Sequence, residues 1–207
     1  MAKLTSGNLS IEIRLLELDK SKWVQYEILF LYKDQPMIQD HLLKRGNEYW
    51  SKRSPGAFRA NECDFEAGGL IKTLRKALKT DEMQYYEPLE PDFIMAIYPR
   101  LAFPFMESKD EIIWTSEKVK EEERQREQRR AASGGKLPDD TFTIIFFIDL
   151  YNFGDEFAYT GEGPALIMMP ERKDVQKFLE DFEGEFEEFC RVWGLSTSNG
   201  SEQDAQA

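Results

Sequence analysis

A single histidine, His41, stands in a chain of 207 residues. A multi-histidine metal site is therefore excluded, and histidine catalysis has one candidate. Two cysteines, Cys63 and Cys190, allow at most one bridge. No disulfide framework can be built from them, so a reducing cytoplasm is the expected compartment. Each reads most simply as a small buried hydrophobe, and with His41 they are too few for a zinc site. Long apolar runs are absent as well. Runs such as Ile144 to Ile148 fall far short of the roughly 20 residues a membrane helix needs. The first eight residues are polar and carry no apolar h-region, so no signal peptide is expected. A basic excess is also lacking: Lys+Arg total 27 against 39 Asp+Glu, a net charge of −12. Nucleic-acid binders usually carry the opposite balance. Neither nucleic acid nor membrane is the expected partner, and a basic protein is.

The common catalytic signatures are missing too. No G-x-S-x-G elbow, H-E-x-x-H pair or D-x-D-x-D-G loop occurs. Gly68-Gly69, Gly134-Gly135 and Gly161-Glu162-Gly163 fit neither a Walker loop nor a dinucleotide fingerprint. No cofactor and no metal are expected. His41 follows Asp40, a pairing seen in acid–base catalysis, but neighbours in a strand point to opposite faces, and a surface histidine is the simpler reading. Asp149 interrupts an apolar strand. It reads as a turn-satisfying or solvent-reaching residue, with a pocket carboxylate of an enzyme as the alternative.

What is present is enough for a folded core. Apolar residues make up 41% of the chain and aromatics 13%, too many for a disordered protein. Leu9, Ile11, Ile13 and Leu15 alternate with polar residues, which predicts a half-buried strand. Val24, Tyr26, Ile28, Phe30 and Tyr32 share one face of a second strand, and together the two predict an antiparallel hairpin. Lys33 to Pro36 reads as the turn that closes it. Leu42-Leu43 reads as the end of a short strand. Lys44 to Ala57 is a polar loop, and Phe58 to Glu62 a short edge strand. In that region Lys44, Arg45, Lys52, Arg53 and Arg59 mix with Tyr49, Trp50 and Phe58. Such mixing can bind single-stranded nucleic acid, but on this acidic chain an aromatic anchor packing on the sheet is the plainer reading.

Residues 64–79 predict a helix with a stripe of Leu70, Ile71, Leu74 and Leu78; Gly68-Gly69 weakens its first turn. Met83 to Glu90 and Phe93 to Pro99 predict strands. Residues 116–130 are charged on every side, with only Val119 apolar, Ser133-Gly134-Gly135 and Pro138 follow, and 116–140 reads as an exposed excursion. Thr141 to Tyr151 is the strongest strand, apolar on both faces and so central. Glu156 to Tyr159 and Ala165 to Met169 are two more. Residues 170–193 predict the best amphipathic helix, ended by Gly194. The expected fold is α+β: one domain over 1–194, a mainly antiparallel sheet with two packing helices, and a disordered tail over 195–207.

That last helix carries Glu180, Asp181, Glu183, Glu185, Glu187 and Glu188 within nine residues, with no base among them. Phe182, Phe186 and Phe189 claim the buried side, so the acids share the outer one. They repel each other and lie toward the C-terminal end, where the dipole disfavours anions. A basic partner would explain them; general solubility is the alternative. The residues expected to bind such a partner are Glu180, Asp181, Glu183, Glu187 and Glu188.

The order of elements resembles a bacterial immunity-protein family, the one associated with the wall-associated tRNA-nuclease toxin of the contact-dependent type. The likeness rests on Trp23 to Tyr32, the Leu70-Ile71-Leu74-Leu78 stripe, Tyr85-Tyr86 running into Glu90-Pro91-Asp92, and Ala165 to Met169 leading into Val175 to Phe189. It is a pattern across most of residues 9–190, and the 39–62 loop and the 116–140 excursion depart from it. The resemblance implies a non-enzymatic, cytoplasmic binder that neutralises a toxin domain. Two other expectations stand beside it: an enzyme with carboxylates in a pocket, or an assembly protein acting through the 116–140 arm.

Overall fold

The computed structural model describes residues 1–18, 23–43, 54–62, 69–80, 82–88, 93–99, 141–154 and 163–195, together with Arg124 and Gln128. Among the described residues, two antiparallel sheets and two helices stand out, the α+β arrangement expected from the sequence. The first sheet contains β1 (Ala2–Ser6), β2 (Leu9–Leu18), β3 (Val24–Tyr32), β4 (Gln35–Pro36) and β5 (Phe58–Glu62). Strands β1, β2 and β3 lie side by side. Beyond β3, β5 pairs its first half and β4 its last two residues. The second sheet runs in the order β6 (Gln84–Tyr86), β7 (Phe93–Tyr98), β8 (Thr143–Ile148) and β9 (Ala165–Met168).

The predicted hairpin is β2–β3, with Ile13 opposite Ile28 and Ile11 opposite Phe30. β1 was not expected. Its alternation is short, with only Ala2 and Leu4 turned inward, and the polar residues between them mask the period. The turn after β3 is tighter than expected. Lys33 and Asp34 both adopt positive φ (50° and 61°), the geometry of a two-residue hairpin turn, and Gln35-Pro36 is already strand. The strand end expected at Leu42-Leu43 is instead a 3-10 turn over Asp40–Leu42. The polar loop is described only from Ser54, so most of its basic and aromatic residues lie outside the described residues. Its anchor is visible: Phe58 is buried and meets Phe30 edge-on at 5.5 Å.

Helix α1 spans Leu70–Thr80. It starts later than the sequence pattern suggested, after Gly69, whose carbonyl takes the Thr73 N–H at 3.1 Å. Residues 64–68 lie outside the described residues. Helix α2 spans Arg172–Trp193. Pro170 precedes it rather than opening it, and its carbonyl accepts the Phe142 N–H at 2.8 Å. The C-terminus closes as expected at Gly194, in the left-handed region at φ 65°, where glycine avoids the Cβ penalty. Strand β6 is shorter than expected, and β8 stops at Ile148, giving way to a 3-10 turn over Leu150–Phe153. At Gly163 (φ 152°) a Cβ would run into the Ile148 carbonyl oxygen, so the turn into β9 demands glycine. The excursion over 116–140 lies outside the described residues except for Arg124 and Gln128, both helical and exposed. The segments 156–159 and 196–207 lie outside them too.

The inner face of the first sheet is shared between two covers. Helix α2 crosses β1 and β2, while the second sheet meets β3. Phe30 packs edge-on against Phe146 at 5.3 Å, and the Tyr26 and Tyr86 hydroxyls lie 2.7 Å apart in the buried seam. Helix α1 wedges between α2 and β6. Arg172 ties the two helices, donating to the Leu78 carbonyl at 2.9 Å with its guanidinium 5.0 Å from the Phe142 ring centre. One cluster of buried apolar residues draws on both sheets and both helices. No helix among the described residues is long and apolar enough to cross a membrane.

Candidate partner-binding groove

The apolar spacing of α2 fixes which way its acids point. Val175, Phe178, Leu179, Phe182, Phe186, Phe189 and Cys190 are buried, a stripe that returns every three or four residues. On one flank of that stripe, Glu180, Asp181, Gly184, Glu185 and Glu188 recur at helical spacing and face β2. Between them and β2 runs an open groove of about 730 Å³. Its far wall is Arg14, Leu15 and Met1, and Phe189 completes its apolar part. Trp193, one turn on, lies tilted against Phe189 with ring centres 6.0 Å apart, and it is exposed.

Of the five acids expected to bind a partner, the structure brings three together. Glu180, Asp181 and Glu188 line the groove, and all three are exposed. Glu183 turns the other way, half-buried against α1, where it accepts from Arg75 at 2.7 Å. Glu187 is exposed outside the groove. Sequence reasoning placed Glu185 in the cluster but not among the binding residues, and it missed Arg14, Leu15 and Gly184. The far wall belongs to a strand far away in the chain, so no local signal points to it.

The acids are better answered inside the chain than the sequence suggested. Lys177 bonds Asp181 at 2.7 and 2.9 Å from one turn below. Arg191 grips Glu188 with two nitrogens at 2.9 and 2.5 Å, and this pairing holds the guanidinium above its ordinary pKa. Gln176 donates to Glu180 at 3.0 Å, and the amino group of Met1 pairs with Glu185. The repulsion expected from the bare run of acids is thus relieved by cations lying just before it, just after it and across the fold. These pairs are exposed and exchangeable, so they add little to stability. Arg14, the side-chain cation on the far wall, is engaged elsewhere. It pairs with the buried Glu27 at 3.1 Å, and Ser54 holds that same carboxylate through its N–H and its hydroxyl.

Gly184 has no evident role in the fold. It sits in mid-helix, where glycine costs about 0.5–1 kcal/mol relative to alanine. A Cβ there would meet nothing within 4 Å. What its bare backbone does provide is a notch between Glu180 and Glu188.

The other candidates are accounted for locally. Asp149 accepts the Tyr151 N–H at 2.7 Å and caps the 3-10 turn after β8. This is the turn role its sequence context suggested, and it is not part of the groove. Asp40 accepts the Gly56 N–H at 3.1 Å, and His41, on the same 3-10 turn, is exposed. Among the described residues no three His, Cys, Asp or Glu side chains gather as metal ligands would. Comparison with protein-family models, with curated proteins and with solved structures finds no match to this chain.

Proposed function

We propose that this chain is a non-enzymatic, cytoplasmic binding protein of the immunity type, whose α2 groove receives a basic protein such as a toxin domain. The observation that carries the reading is the groove itself. Three exposed carboxylates converge on an apolar floor beside a helix position left without a side chain. A lysine or arginine fits such a site by parts: its methylene stem lies on Leu15, Gly184 and Phe189 while its charge meets Glu180, Asp181 and Glu188. Lys177 and Arg191 are exposed and yield their carboxylates at small cost. The net charge of −12 draws a basic partner in from a distance and speeds encounter, while the groove sets how long it stays. Glu187, outside the groove, contributes to the long-range field.

Affinity capture from cells of the source organism, at low and high salt, tests this. A basic protein should be retained at low salt and released at high salt. The variant Glu180→Lys/Asp181→Lys/Glu188→Lys should lose it while keeping its fold by circular dichroism. Equal retention by the variant would overturn the reading.

A further inference from the structure

Strand β2 outruns the strand beside it. β1 pairs with Leu9 to Ile13, and its first residue, Ala2, stands opposite Ile13. Beyond that point Arg14 to Leu18 keep their pairing with β3 on one side. Along their other side, no strand lies among the described residues. Alternate residues of this stretch therefore aim backbone N–H and C=O groups outward from the sheet edge. Arg14 and Glu17 are exposed there, and Leu15, Leu16 and Leu18 are half-buried.

The groove opens on this same edge. Arg14 stands opposite Glu27 and Leu15 opposite the buried Tyr26, so their side chains leave the strand on opposite faces of the sheet. A hollow lined by both lies at the rim of the strand rather than over one face. Helix α2 roofs it. Just before the helix begins, the Met169 N–H donates to the Ser6 hydroxyl at the far end of β1, at 3.0 Å. About four turns later, Glu185 meets the amino group of Met1. The helix thus runs back along β1, and roughly its last two turns pass beyond the start of β1, where Glu188 and Phe189 line the groove with Arg14 and Leu15.

We propose that the partner is held by strand addition: an extended basic segment lies in the groove, continues the line of β1 and bonds backbone to backbone with Arg14–Leu18. This deepens the reading above and rests on the groove being the partner's site. A helix in the groove would bring cations to the acids but leave the strand edge unanswered, whereas an extended chain answers both. Every second side chain of such a chain lies on one face, about 6.6 Å apart, and one turn of α2 advances about 5.4 Å. A lysine or arginine at alternate positions therefore meets an acid on successive turns, Glu185 and then Glu188. The amino group of Met1 displays the fit: on the line of β1, a cation already meets Glu185. The bare backbone at Gly184 lets the added chain approach the helix. The register shift between Leu15 and Glu17 bulges the edge and keeps the new ladder short. Backbone pairing alone is then too weak to hold a strand, and only one that also satisfies the acids stays.

Backbone methylation of a peptide separates strand addition from simple charge attraction. The probes are end-blocked octapeptides of alternating lysine and threonine: one unmodified, one N-methylated at the lysines and one at the threonines. All three carry the same charge. Only one alternate set of amides can face β2, whichever way the added strand runs. Titration of the full chain, with amide exchange of Arg14–Leu18 followed by NMR, reads both affinity and place. The unmodified peptide should bind and slow exchange at alternate residues of that stretch. One methylated peptide should bind at least about tenfold more weakly, and the other nearly as well as the unmodified one. Methylated peptides that bind like the unmodified one, or that are weakened alike, overturn strand addition. If their binding is still lost in Glu180→Gln/Asp181→Asn/Glu188→Gln, the groove reading stands without it. Binding that ignores this triple change overturns both. No binding up to millimolar peptide overturns strand addition, and the capture experiment above then judges the groove by itself.

Discussion

Replacing Gly184 by alanine separates what the fold needs from what the groove needs. The residue lies in the interior of α2, in ordinary helical conformation, and an added Cβ meets nothing within 4 Å. No steric term opposes the change. The backbone term favours it, because alanine has less freedom to lose on folding than glycine, by about 0.5–1 kcal/mol. For a protein of this size that corresponds to a rise in Tm of roughly 1–4 °C. Thermal unfolding followed at 222 nm, with urea titration as a second probe, should show the gain without a change in the denaturant slope. The same methyl would fill the notch between Glu180 and Glu188. Binding of a basic partner should then weaken several-fold while the fold becomes more stable. A Tm that falls would refute the structural half of the reasoning, since it would mean that the helix does require glycine there. Stabilisation with unchanged affinity would refute the functional half.

Other perturbations probe other parts of the account. Asp149→Ala removes the cap on the turn after β8 and should cost about 1 kcal/mol in urea unfolding, with Asp149→Asn milder; loss of the fold or no effect would each contradict the capping role. Phe182→Ala empties the centre of the core beneath α2 and should cost about 3–5 kcal/mol, measured by the same method; a cost under about 1 kcal/mol would show that α2 is not anchored there. Burial holds the Tyr85 phenol above its ordinary 10.0, and the Glu87 carboxylate adds to the shift. The folded state therefore holds that proton more tightly than the unfolded one. The stability this contributes is complete below pH 10 and is lost as pH rises through the folded pKa. Glu87→Gln should bring Tyr85 back toward 10.0, read by NMR titration of ring-labelled tyrosine, and an unmoved titration would show that Glu87 has no part in the shift.

Much of the architecture was legible in the sequence because it rests on local periodicity. Strands β2, β3 and β8 and helix α2 each carry a run long enough for period two or 3.6 to stand out. The two faces of β8 even marked it as central, which it is, between β7 and β9. Short elements were not legible. Strand β1 offers two inward side chains and β4 is two residues long, so tertiary pairing rather than pattern defines them. The start of α1 was blurred by Gly68-Gly69, which postpones the helix until Leu70.

At the site, the acids were legible but their directions and their pairing cations were not. Counting along α2 separates buried phenylalanines from outer carboxylates. It does not say that Glu183 leans toward Arg75, which is remote in the chain, or that the amino group of Met1 reaches Glu185. Nor could it supply the far wall, because Arg14 and Leu15 reach α2 only once β1 and β2 have folded beneath it. Gly184 did leave a trace, a glycine in an otherwise strong helix, but its meaning depends on the open space above it.

The central claim is that the groove, and not acidity in general, holds the partner. Two variants that remove the same charge decide it. One is Glu180→Gln/Asp181→Asn/Glu188→Gln, and the other is Asp34→Asn/Glu82→Gln/Glu171→Gln on exposed positions outside the groove. Dissociation rates of both would be measured against the basic protein captured by the wild-type chain, at near-physiological salt, where charges more than about 8 Å apart are largely screened. The account predicts that the groove variant releases the partner at least about tenfold faster, while the second variant releases it at nearly the wild-type rate. Equal dissociation from both variants would contradict it, and the acids of α2 would then serve solubility alone.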